Sequence, residues 1–550
     1  MFRKSPLVAL LVAVILAVSS VAAFACTSIL VPPSSSVDGS ASVTHTCDSG
    51  SSPFEVIKVP AADWAPGTMT DVLDLPQFTS GNQMHVAAGE PTGNKIPQVA
   101  HTYGYIRALF GVINEKQVSI GETTISGRRE SQNPAGFFDI TNLSMYAMER
   151  AATAREAVKV MGELGEKYGY KDGGEELSVA DTKECWVFEM VGPGPLWQQG
   201  DEGPGAYWVA QRVPEGHVSA SANNAVIREI DFNDHENFMF APGIVEYAVS
   251  KGWYKPESGE PFNWRKHFCN ATSFETSGRR VWRVFCLAAP SLAEKLDERD
   301  LPFSAPVDKK LSISDINAIQ RDHYEGTKFY GGNSLAAGPF NNPRRYRGLG
   351  FKVDGKNYSW ERMIAQVQCE YSICTQSRGW LPDEIGGLVW YGATNPDLTC
   401  YVPLYASMTS VSPAMNTKAG SHQEFTRDSY WWAISAVSTY ADLKWSYMSK
   451  DIKANIDKYE GHALRTQGAI EAAALELHKQ DPKLAVEFLT NYANRNVETV
   501  RDAWWQLLDT LIWKYNMGFV TEDGRVRSVS YPEAWLRKVV GSGEPGHWAK

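Results

Sequence analysis

The chain is 550 residues long, 43% hydrophobic and 11% aromatic, with a formal net charge of −10. Such a chain can bury a large core in one big domain or several smaller ones. Its acidic balance argues against a nucleic-acid partner, which requires a basic surface.

The first residues read MFRKSPLVALLVAVILAVSSVAA. Arg3 and Lys4 give a positive start and Leu7 to Val18 an apolar run. Ala23 and Ala25 then place small residues at −3 and −1 of a cut before Cys26. This is the pattern of a cleaved export signal over 1–25, and it predicts a periplasmic or secreted protein that starts at Cys26. The apolar run is short for a membrane span of roughly 20 residues, and no later stretch is long and apolar enough to be one. A lipid anchor on Cys26 is the competing reading and the sole route to a membrane partner. Its signal prefers an aliphatic residue at −3 and a small one at −2, where this chain has Ala23 and Phe24. Cleavage removes Arg3 and Lys4 and no acid, so 525 residues remain at −12.

From Cys26 to about Val226 the sequence predicts strands and turns with one helix inserted. "CTSILV" and "ASVTHT" flank the turn-rich "PPSSSVDGS", a hairpin pattern. "GVINEKQVSIGETT", "CWVFEMVG" and "AYWVAQRV" alternate like half-buried strands. Between them Met145, Met148, Ala152, Val158, Met161 and Leu164 form one helical stripe that ends near Gly169. Residues 426–550 read as mainly helical. Val497, Val500, Trp504, Leu508, Leu511 and Tyr515 are spaced 3-4-4-3-4, with Gly518 beyond them as a stop. An earlier helix must end before Asp481 and Pro482. The aromatic stripe is expected in the core. No repeat or long linker interrupts the chain, which favours one α+β domain over 26–550, with a core at 26–425 and the helical portion at 426–550.

The cysteines are 26, 47, 185, 269, 286, 369, 374 and 400. None has zinc-like spacing with another Cys or a His. Export permits disulfides, and Cys369 with Cys374 or Cys269 with Cys286 are candidate bridges.

If Cys26 is the mature N-terminus, its thiol and α-amine sit on one residue. A free thiol has a pKa of about 8.5 and an α-amine one of about 7.7–8.0, so the amine can take the thiol proton and return it to a leaving group near neutrality. Such chemistry needs a carboxylate to orient the amine, donors for an oxyanion and a cation that shapes the site. Asp48, at the end of the second strand, suits the first role, although an aspartate before Ser-Gly is also an ordinary turn residue.

At this point the residues resemble a known family. "CTSILV…DGS…THTCDSG" is similar to the start of the dipeptidase A-like cysteine peptidases. These are relatives of the secernins and more distantly of penicillin V acylase and bile salt hydrolase. "IPQVAHTYGYI", "WVAQRVPEGHVSASANNAVI", "GRRVWRVF", "HYEGTKF", "LAAGPFNNP", "QSRGWLPDEIGGLVWYG" and "AWWQLLDTLIWKYNMGF" continue the match in order to about Phe519. The resemblance implies a four-layer αββα N-terminal-nucleophile sandwich. It also implies hydrolysis of dipeptides or other short peptides, without a metal or other cofactor. Cys26 matches the nucleophile, and Asp48 the aspartate that bonds the active-site amine or thiol. Asn223 matches an oxyanion-hole asparagine, with Asn224 one residue away as its rival, and Arg280 matches an arginine near the nucleophile, with Arg279 and Arg283 as rivals. Many family members carry Arg-Asn before the aspartate, where this chain has His45, Thr46 and Cys47. His45 is accordingly expected as a structural or substrate-wall residue and Cys47 as a small packed one. Glu122 in "GETT" aligns with a segment that supplies an oxyanion contact, or meets a substrate ammonium, or only ends its strand. An N-acyl amide hydrolase and a lipid-anchored binding protein without catalysis are the alternatives. A homo-oligomer is compatible with all three readings.

Overall fold

The computed structural model describes residues 26–75, 89–344, 350–543 and 546–547. The expected export signal lies outside them. The first strand, Ser28–Val31, turns back into Ser42–Thr46, with Leu30 opposite Val43 and Val31 opposite Ser42. Asp38 shapes the connection: its Oδ1 accepts from Ser36 Oγ, Ser40 N and Ser40 Oγ at 2.7, 3.0 and 2.7 Å. The expected hairpin is present.

This hairpin forms the middle of a seven-stranded sheet. Its order is Ser304–Pro306, His217–Ser221, Ser28–Val31, Ser42–Thr46, Tyr371–Gln376, Leu388–Ala393 and Val402–Tyr405. An eight-stranded sheet runs Phe238–Phe240, Tyr207–Arg212, Cys185–Val191, Glu175–Ala180, Ser119–Thr124, Gly111–Asn114, Tyr105–Arg107 and Ile57–Val59. Neighbouring strands in both are antiparallel. The two sheets touch where Ser119–Thr124 crosses the hairpin. A Cβ on Gly121 would stand 2.5 Å from Thr44 O and 2.8 Å from Val43 Cγ1, so only glycine permits that approach.

The eight-stranded sheet carries two helices, Ile140–Arg150 and Ala154–Tyr168, where one was expected. Ala151 is extended, and the Thr153 side chain accepts from Glu156 N to start a new helix. A cap of that kind outweighs a continuous apolar stripe, and Ala152 falls in the break. The second helix ends at Gly169 with φ 88°, as expected. The predicted alternation also fails: all seven residues of Cys185–Val191 are buried, as are all four of Gly111–Asn114 and the first five of Ser119–Thr124. The helix Ala154–Tyr168 packs on Cys185–Val191 and its neighbours, so both faces are covered.

The seven-stranded sheet packs against Arg279–Ala288, Tyr430–Ala441, Trp445–His478 and Pro482–Lys514. Asp481 caps the last of these, accepting from Lys483 N, and Pro482 occupies its first turn, which explains the predicted break. Trp504 is fully buried. The protein is therefore a mixed α+β fold with several antiparallel sheets and a helical C-terminal region. Among the described residues no helix is long and apolar enough to cross a membrane.

The "HYEGT" and "AAGPFNNP" segments, and the Arg344 that follows, belong to a buried ion network. His323 lies 3.1 Å from Asp397 Oδ2 and 3.0 Å from Glu325 Oε1. Arg344 grips Asp397 with two bonds of 2.8 and 2.7 Å and donates to Ser438 O at 2.9 Å on a C-terminal helix. Asn342 reaches Asp442 of the next turn at 2.9 Å. The network ties the loops to the helices. All eight cysteines are free and buried, so neither candidate bridge is formed.

Candidate active site

Cys26 stands just before the first strand. Thr27 N donates to Thr46 Oγ1 at 2.9 Å and Thr46 N to Thr27 O at 3.1 Å. These bonds hold the start of the first strand against the end of the second, which brings Asp48 beside Cys26. Burial pushes the Cys26 thiol well above its ordinary pKa, helped by the charges of Glu122, Cys47 and Asp48, while the Asp48 backbone N–H opposes them. Burial likewise lifts the Asp48 carboxyl to about 8, against the pull of Arg280, Cys369, Arg362 and Thr46.

Arg280, at the start of the helix Arg279–Ala288, is fully buried. Its Nη1 donates to Cys26 O at 2.7 Å and Thr27 Oγ1 at 2.9 Å. Its Nη2 donates to Asn223 Oδ1 at 2.7 Å, Ala222 O at 3.2 Å and Thr276 O at 2.7 Å. Asn223 follows the strand His217–Ser221 with φ 58°, a left-handed conformation that asparagine tolerates better than most residues. Its Nδ2 donates to Thr124 O at 3.0 Å, which leaves one further amide N–H to offer.

The four sequence-derived candidates thus converge, and their rivals separate from them. Arg279 pairs with Glu361 and lies 3.5 Å over the Phe329 ring. Arg283 makes a two-bond pair with Asp322, at 2.8 and 2.7 Å. Asn224 lines a separate cavity of about 260 Å³ with Arg265, Phe274, Val281 and Arg299.

Two residues reach Cys26 whose roles stayed open in the sequence. His45 is wedged between Phe110 and Tyr371, and its Nδ1 lies 2.7 Å from Glu122 O. Burial lowers its pKa to about 4, so the ring is neutral, and its Nδ1 faces both the carbonyl and the N–H of Glu122, the latter at 3.2 Å. Glu122 comes from the other sheet. Its carboxyl is raised by burial, although Glu175, Cys26 and Thr124 stabilise the ionised form. Glu175 is raised further, by burial and by Glu122 itself. Two buried carboxyls side by side resist double ionisation, so this pair retains a proton. A ring nitrogen of His45, a Glu122 carboxyl oxygen and Cys26 Sγ all lie within 4.8 Å of one another.

Sequence reasoning missed Glu175, Arg362 and Cys369. Arg362 feels both Asp48 and Cys26, and burial brings its pKa down to about 10. None of the three sits in a local pattern that points to the site.

The family model for peptidase family C69 matches residues 25–458. A probable dipeptidase of Latilactobacillus sakei is 27% identical over 362 residues, covering 66% of this chain and 68% of that protein. Dipeptidase A of Lactobacillus helveticus is 24% identical, covering 71% and 77%. A probable dipeptidase A of Streptococcus pyogenes serotype M3 is 22% identical, covering 86% and 96%.

Proposed function

This chain belongs to peptidase family C69, and on that premise we propose that it is an exported cysteine dipeptidase whose nucleophile is Cys26, exposed as the N-terminal residue by signal removal. In this reading residues 26–550 form one domain, a four-layer αββα N-terminal-nucleophile sandwich with its helical C-terminal portion. The processed protein works in the periplasm or outside the cell, free of the membrane.

The α-amine of Cys26 takes the thiol proton and the sulfur attacks the scissile carbonyl. The oxyanion is met by the remaining Asn223 N–H and by backbone donors. Collapse expels the leaving amine, which receives the proton, and leaves a thioester. Water then attacks the thioester, releasing the acid and regenerating the thiol. Asp48 orients the amine. Arg280 is a positioning residue: it fixes the Cys26 carbonyl and the Asn223 side chain without touching the reacting bond.

One observation carries the reading most: a single buried guanidinium binds the Cys26 carbonyl, Thr27 Oγ1 and Asn223 Oδ1 together. The Glu122 carboxyl near the thiol, backed by Glu175, favours a substrate with a free ammonium group over an N-acyl amide. The test is thiol alkylation of exported protein, with masses of the intact chain and N-terminal peptide, alongside a dipeptide panel. Loss of hydrolysis in step with single alkylation of an N-terminal Cys26 is the expected result. A diacylglycerol-sized increment on Cys26, or hydrolysis that survives its full alkylation, would overturn the reading.

A further inference from the structure

We propose that Cys26, His45 and Glu122 form a binding site for a zinc ion, and that zinc bound there silences the nucleophile. The three residues offer sulfur, nitrogen and oxygen donors within 4.8 Å of one another. Ligand atoms around a tetrahedral zinc stand roughly 3.3–3.8 Å apart, given bonds of about 2.0–2.3 Å. Small side-chain rotations close that difference, chiefly of the glutamate.

Two of the donor atoms are also uncommitted. Glu122 Oε1 accepts from Thr124 Oγ1 at 3.1 Å, while Glu122 Oε2 and His45 Nε2 make no hydrogen bond of good geometry among the described residues. Both residues are about 1% exposed and Cys26 is fully buried. Buried polar atoms without partners are uncommon, and here two of them adjoin the same thiol. Nδ1 faces the Glu122 backbone, its carbonyl at 2.7 Å and its N–H at 3.2 Å, so Nε2 is the nitrogen left for a metal, and a metal there selects the tautomer in which Nδ1 donates to the nearer carbonyl. Zinc-bound histidines use this same outer bond to fix the ring. A Cys, His and Glu donor set suits zinc over magnesium or calcium, which take oxygen ligands.

Binding needs no oxidant or reductant. The thiol proton passes to solvent, the proton shared by the two carboxyls stays on Glu175, and the sulfur lone pair forms the Zn–S bond. While that bond stands, the sulfur cannot attack a carbonyl. In the processed chain the Cys26 α-amine would add a fourth ligand through a five-membered N,S chelate; that ligand alone rests on the functional reading above. Zinc and substrate both need the Cys26 sulfur, so they compete.

The experiment uses processed protein stripped with EDTA and dialysed. Zinc is titrated calorimetrically, and cobalt(II) serves as the coloured probe. One equivalent should bind, with a sulfur-to-cobalt charge-transfer band that Cys26→Ser abolishes. His45→Gln and Glu122→Gln should each weaken zinc at least tenfold, with circular dichroism confirming their folding. Dipeptide hydrolysis should fall with zinc and return with EDTA. A cobalt–thiolate band that survives Cys26→Ser, or affinity unchanged in both glutamine variants, would overturn the site. Hydrolysis indifferent to stoichiometric zinc would overturn the inhibition and leave the peptidase reading intact. Zinc binding lost with Cys26 in a protein that hydrolyses no dipeptide would support the site and sink the peptidase reading instead.

Discussion

Replacing Arg280 with lysine keeps the charge and removes the planar fork. The guanidinium serves five acceptors: Cys26 O, Thr27 Oγ1, Ala222 O, Asn223 Oδ1 and Thr276 O. A lysine ammonium has three N–H groups on one nitrogen, so at least two of these acceptors lose their donor. Each buried acceptor left unmet costs about 1–3 kcal/mol, which sets the expected loss of stability at about 2–6 kcal/mol. The catalytic effect is separate. Arg280 ties the Cys26 carbonyl to the Asn223 side chain, and a displacement of about 1 Å between reacting groups lowers rates about 100-fold. Urea denaturation followed by tryptophan fluorescence reads the first quantity, and kcat/KM on a dipeptide reads the second. The drop should appear in kcat, because the substrate's own contacts are unchanged. An Arg280→Lys protein with parental midpoint and parental kcat/KM would refute the clamp and its role together.

His323 makes a pH prediction. Burial opposes its charge, but hydrogen bonds to Asp397 and Glu325 lift its pKa from 6.5 to about 9. A folded pKa above the unfolded one gives stability that is complete below about pH 6.5 and lost as pH rises through about 9. Melting temperature should therefore decline across that window and His323→Gln should flatten the slope; a parental profile already flat there would count against the network. Gly121→Ala should destabilise by at least about 1–3 kcal/mol, because its Cβ would meet backbone at 2.5 Å, and an unchanged melting temperature would show that the sheets are not so closely docked. The precursor should be inactive, since an amide nitrogen on Cys26 is no base; purified protein shown by mass to retain Ala25 yet hydrolysing dipeptides would contradict the mechanism.

Much of the site was legible because its first half is local. Cys26 and Asp48 are held together by one hairpin, and a hairpin is a short-range pattern with its turn residues in view. The choice among the three arginines was not legible, yet helical geometry explains it. Arg279 and Arg283 are four residues apart and share a face, where Glu361 and Asp322 meet them. Arg280 points about 100° away, given 3.6 residues per turn, into the core. The inserted helix was misread as continuous because the apolar stripe runs through Thr153, whose capping role depends on a backbone turn that periodicity does not register. Strands such as Cys185–Val191 lose their alternation because helices cover them as well as the facing sheet. Glu175, Arg362 and Cys369 were invisible for a different reason: they meet Glu122, Cys26 and Asp48 through strand order and packing alone.

The contact at Gly121 has a consequence for when chemistry can begin. Cys26, His45 and Asp48 sit on one sheet and Glu122 and Glu175 on the other, so no segment of the chain carries the whole constellation. A chain with formed strands but undocked sheets has a cysteine in an ordinary, solvated environment. Under gentle denaturation, Cys26 reactivity should therefore change when the layers part, ahead of any loss of strand or helix signal. In a hydrolase such an arrangement works as an assembly check, withholding the reaction until the last long-range contact is made.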